Sequence, residues 1–121
     1  MKDTSSDRTV VAAVADLVFG SRIRAAAEQA GIRCVFVRSG ELLAEHAPAA
    51  DLVLLDLETR WLDAPADIAA LKADPVTART PIVAFGPHVD EAALVAAREA
   101  GADRVLARSA FVRLLPELLR G

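Results

Sequence analysis

Five short apolar runs recur along the chain at intervals that leave room for a helix after each: TVVAAVA at 9–15, CVFV at 34–37, LVLLDL at 52–57, IVAF at 82–85 and RVLA at 104–107. Unbroken apolar runs of this length, without polar alternation, fit strands covered on both faces. The segments between them carry helical spacing. Ser21 is read as the cap of a helix over 22–30, with Ile23, Ala26, Ala27 and Ala30 on one face and Gly31 as a left-handed stop. Ser39 precedes GELLAEHA, a short helix ended by Pro48. Residues 65–73 start with Pro65 in a first helical turn and stop before Asp74-Pro75, and Asp90 caps EAALVAAREA, closed by Gly101. In the last segment Phe111, Leu114, Leu115 and Leu118 keep helical spacing, but Pro116 predicts a helix that is short, kinked or late to start.

Strands followed each time by a crossover helix predict an α/β fold: a doubly wound, five-stranded parallel sheet of order 2-1-3-4-5 in a three-layer αβα, flavodoxin-like arrangement. In such sheets the functional crevice lies outside the carboxyl ends of the strands. The residues to inspect are therefore Asp16, Asp56, Glu58, Gly86 and Arg108. Asp56 matters most, because a carboxylate where an apolar strand emerges is costly to desolvate and calls for a partner or a task. The plain alternative is a solvated strand-end acid.

Composition narrows the classes. A chain of 121 residues suits one domain, taken as 8–121 behind a disordered tail at 1–7. The 54% hydrophobic content comes in runs far short of the ~20 residues that span a bilayer, and MKDTSSDR does not open like a signal peptide, so a cytoplasmic protein away from membranes is expected. The net charge of −3, with twelve Arg and two Lys scattered along the chain, argues against a nucleic-acid surface. The single cysteine, Cys34, excludes an internal disulfide and reads as an apolar filler. No phosphate-binding glycine loop, metal-spaced His and Cys, or nucleophile elbow is present, so the chain is not expected to be an enzyme. His88 follows the fourth strand without an identifiable partner, and His46 is read as structural. Trp61 is either a partner anchor or a half-buried contact to the third helix.

DLVLLDL at 51–57, TPIVAF at 80–85 and AREAGADRVLARS at 97–109 resemble, in order and spacing, the third strand, the fourth strand and the segment into the fifth strand of the CheY-like receiver domains of bacterial response regulators. The resemblance covers about residues 8–120. It implies a phosphorylated aspartate, Mg²⁺ held by an acidic pair at the end of the first strand, a hydroxyl residue ending the fourth strand and a Lys-Pro ending the fifth. Asp56 matches the phosphate acceptor, and Glu58 the position whose carbonyl contacts the metal. The acidic pair falls on Val14-Ala15 or Ala15-Asp16, leaving at most one acid, Asp16, which is either a helix-entry or loop acid or a lone metal ligand. Gly86 stands for the hydroxyl residue and Arg108 for the Lys, while Ser109-Ala110 replaces the X-Pro step, so no cis bond is expected there.

The resemblance so qualified predicts a stand-alone pseudo-receiver, a signalling module without the full Mg²⁺-dependent phosphorylation cycle. No cofactor is expected beyond a weak Mg²⁺ site at Asp16, Asp56 and Glu58. Arg108 is expected to pair with Asp56 and supply the positive charge that a bound metal would otherwise provide, a role that suits a fork able to hold a carboxylate through two hydrogen bonds. Other readings are a phospho-accepting receiver at Asp56, or a small-anion module using Arg108 and the amides near Gly86. The family's output face maps to residues 90–120, with Arg98, Arg104, Arg113, Phe111 and Leu115 offered to a protein partner or a second copy. The chain's end at Gly121 leaves no attached output domain in this reading.

Overall fold

The structure is a computed structural model that describes residues 8–121; the expected tail at 1–7 lies outside the described residues. Strands β1 (Thr9–Ala13), β2 (Arg33–Phe36), β3 (Leu52–Asp56), β4 (Ile82–Gly86) and β5 (Arg104–Ala107) pair in parallel in the order β2-β1-β3-β4-β5. Helices α1 (Leu17–Ala30), α2 (Gly40–His46), α3 (Ala64–Ala73), α4 (Glu91–Ala100) and α5 (Arg108–Arg120) connect and follow them, with a 3₁₀ turn, Ala47–Ala49, after α2. This is the doubly wound fold that the spacing predicts.

Because side chains alternate along a strand, the sheet sorts its residues into two cores. Val10, Ala12, Leu52, Leu54, Val83 and Phe85 meet α1 and α5, through Ile23, Ala27, Phe111, Leu115 and Leu119. Val11, Ala13, Val53, Leu55, Ile82 and Ala84 meet α2, α3 and α4 on the other face. Asp56 continues the even-numbered series of β3 and pairs in register with Phe85, so its carboxylate emerges on the α1/α5 side.

Two expectations about helices are corrected. α1 starts at Leu17, not at 22; Asp16 is its cap, accepting from the amides of Val18 and Phe19 at 2.8 and 3.0 Å, and Ser21 lies within the helix. α5 is neither short nor late, running thirteen residues through Pro116. Pro116 is on the exposed face, where the carbonyl left without an amide one turn back can be solvated. Ser39, Asp63 and Asp90 cap α2, α3 and α4, and Gly31 and Gly101 end α1 and α4 at φ of 70° and 115°.

Candidate functional site

The loops at the carboxyl ends of β1, β3 and β5 bring Ala15, Asp16, Asp56, Glu58, Thr59, Arg60, Trp61 and Arg108 around one cleft of about 450 Å³. Asp56 is 1% exposed. Its Oδ1 accepts from the Glu58 amide at 2.9 Å, and Arg108 Nη2 lies 3.5 Å from the same oxygen. That Nη2 also meets Glu58 Oε1 at 2.5 Å. The expected pairing of Arg108 with Asp56 is present, through one guanidinium nitrogen that is shared by two carboxylates. The Arg108 guanidinium carbon also lies 4.5 Å from the centroid of the Phe19 ring, over its face, where a cation is attracted by the ring. Arg108 Nε is buried with no hydrogen-bond partner.

The electrostatics follow from burial. Desolvation pushes the Asp56 carboxyl above the ordinary value of 3.8, against the opposing pull of the Glu58 amide and the Arg108 charge. Arg108 in turn is the first residue of α5, whose start carries no side-chain cap. A cation there meets the positive end of the helix dipole, so its position depends on the carboxylates that face it.

Thr59, which sequence reasoning passed over, ties the loops together. It is buried, donates its hydroxyl to Ala13 O at 3.4 Å and accepts from Ala15 N at 3.3 Å. Its signal was a hydroxyl residue three positions after the strand-end acid. The side chain of Glu58 was also missed, because the family resemblance assigns a role only to the carbonyl at that position. Gly86 ends β4, and a Cβ there would meet the side chains of Leu57 and Leu94. His88 is exposed beyond the cleft, and Trp61 is half-buried at its rim.

The donors do not fit an octahedral cation. Asp56 and Glu58 are already bridged by Arg108, and Asp16 Oδ1 is taken up by two helix amides. Among the described residues no group of three or more His, Cys, Asp or Glu is placed to hold a metal ion.

On the proposed output face, Arg98, Arg104 and Arg113 are exposed. Phe111 and Leu115 are not, at 0% and 4% exposure, which corrects their assignment to an interaction surface. Their four-residue spacing with Leu119 forms the stripe that covers the sheet. Phe111 stacks on Phe85 with ring centroids 3.8 Å apart. No cis peptide occurs among the described residues, and none of their helices is long and apolar enough to cross a membrane.

No family model matches the sequence, and no curated protein does. Solved structures match it closely in shape. A response regulator from Hahella chejuensis superposes with a TM-score of 0.79 at 21% identity, over 93% of this chain and 92% of that one. The receiver domain of a sensor histidine kinase from Pseudomonas aeruginosa, which has magnesium coordinated in its active-site cleft, gives 0.76 at 20% identity, over 94% and 98%. A response regulator of red-light signalling in R. palustris gives 0.78 at 19% identity, over 92% and 90%. The fold is therefore that of the CheY-like receiver domains. At these identities the likeness defines the architecture, and the chemistry has to come from the side chains in the cleft.

Proposed function

We propose that residues 8–121 form a pseudo-receiver: a signalling module that works by binding a protein partner and keeps Asp56 in a fixed ion-paired state. The observation that carries this reading is the Asp56–Arg108–Glu58 bridge. Phosphoryl transfer to a carboxylate needs an accessible oxygen and cations that neutralise the incoming phosphoryl group. Here the acceptor oxygen is buried, and the nearby cation is already shared between two acids. The exposed Arg98, Arg104 and Arg113, set among Glu91, Glu99 and Glu117, offer α4, β5 and α5 as a face for ion pairs with a protein partner. The small-anion reading of this cleft is disfavoured by Glu58, whose carboxylate occupies the guanidinium an anion would need.

Incubation with acetyl phosphate and Mg²⁺, read by intact-protein mass, is expected to leave the chain unmodified. Mg²⁺ with beryllofluoride is expected to leave its melting temperature unchanged. Efficient labelling that disappears in Asp56→Asn would overturn the proposal.

A further inference from the structure

Two carboxylates in the cleft share a single cation, and the sharing is uneven. Arg108 Nη2 meets Glu58 Oε1 at 2.5 Å but stands 3.5 Å from Asp56 Oδ1, beyond the roughly 2.7–2.9 Å of a charge-assisted hydrogen bond. Asp56 therefore keeps one full hydrogen bond, from the Glu58 amide to Oδ1. Its Oδ2 accepts none among the described residues, although the side chain is 1% exposed. That oxygen is not sealed away, since the fully buried side-chain atom left without a partner among the described residues is Arg108 Nε. Asp56 lines the cleft, so Oδ2 opens toward it.

The charge around the cleft is short on the positive side. Asp16, Asp56 and Glu58 line it against Arg60 and Arg108. Asp16 Oδ1 is committed to the Val18 and Phe19 amides. Arg60 is exposed and pairs with neither Asp56 nor Glu58. Glu58 is half exposed, so the acid that grips Arg108 more tightly is also the one an incoming group reaches first. A buried acceptor without a donor costs free energy, which a donor from outside recovers. Both carboxylates touch one nitrogen, so a single incoming cation meets both. An octahedral metal does not suit this donor set, whereas a guanidinium brings permanent charge and a fork of N–H donors.

The rim favours a protein side chain over a free amine. Leu17 and Val18 follow Asp16 directly and are 86% and 65% exposed, an apolar surface beside the cleft for the chain that carries the cation. We propose, on the partner-binding reading above, that the cleft receives an arginine side chain of a protein partner as the second cation of the Asp56–Arg108–Glu58 group.

Trp61 lines the cleft and is the only tryptophan, so its fluorescence reads occupancy; backbone amide shifts in nuclear magnetic resonance give a second readout. The probes are acetyl-alanyl-arginyl-alanine amide, its citrulline analogue, which keeps the shape without the charge, and methylguanidinium. Saturable binding of the arginine peptide is expected, about fivefold tighter than the citrulline peptide, as a partly exposed ion pair provides. Methylguanidinium should bind more weakly than the peptide. Glu58→Gln should weaken peptide binding by a similar factor, and Arg60→Gln should tighten it by removing a competing charge, an effect of opposite sign that a damaged fold would not give. The proposal is overturned by an absence of saturation in both readouts at millimolar arginine peptide, by equal affinity for the citrulline peptide or for methylguanidinium, or by an unchanged dissociation constant in Glu58→Gln. Labelling of Asp56 by acetyl phosphate would instead sink the pseudo-receiver reading, whatever the peptides do.

Discussion

Asp56 is held at a cost, and its partner's contribution can be separated from that cost. Removing Arg108 leaves a carboxylate that is 1% exposed without its counter-charge. An unsatisfied buried polar group costs about 1–3 kcal/mol. Arg108→Ala should therefore destabilise the chain by about that amount at pH 7, measured by urea denaturation. Most of the loss should disappear in the Asp56→Asn background, because the two residues share one interaction and their effects will not add. Asp56→Asn alone tests the acid. Between the ordinary carboxyl value of 3.8 and the raised value that burial gives Asp56, the folded chain retains a proton that the unfolded chain has released. Folding stability contributed by this group is thus full below 3.8 and declines as the pH rises through that interval. The melting temperature of Asp56→Asn is expected to match that of the parent in acid and to exceed it at neutral pH. A gap that is constant with pH would contradict the burial argument.

At the level of elements, α5 carries the clearest internal conflict. Pro116 sits inside a thirteen-residue helix, where proline is about 3 kcal/mol worse than alanine in model helices. Solvation on the exposed face recovers part of this, so Pro116→Ala should stabilise the chain by roughly 1–2 kcal/mol, visible as a higher urea midpoint at an unchanged slope. The proline rule, applied without knowing which face it lay on, predicted a helix that is short, kinked or late to start. The strands were legible because each is apolar on both faces, a pattern helices of this size do not share. The start of α1 was only partly legible: Asp16 could be read as a helix-entry or loop acid, but Leu17 and Val18 are 86% and 65% exposed, so the first turn shows no inward apolar face and Ser21 offers the more evident cap. The site was legible in its backbone positions, Asp56, Glu58 and Arg108, since topology alone brings strand ends together. The shared nitrogen, the Phe19 contact and the Thr59 tie depend on side-chain directions that spacing does not encode.

Over the whole molecule, the two cores are closed on both faces of the sheet, and the thiol at its β2 edge shows the consequence. Burial pushes Cys34 from 9.0 up to about 11. The thiolate fraction at pH 8 is then about a hundredfold below that of an unburied cysteine. Reaction with a disulfide reagent should be slow by at least that factor in the native chain and fast in denaturant. The same closure bears on how the Arg108 bridge could ever be undone. Phe19 belongs to an aromatic group with Phe85 and Phe111, its ring centroid lying 5.7 and 6.5 Å from theirs, and the guanidinium of Arg108 is the lid over its face. Drawing that lid aside would wet an aromatic surface and strand two acids together. Under the proposed reading, whatever replaced it would have to bring both an apolar surface and positive charge, and a lone phosphate brings neither.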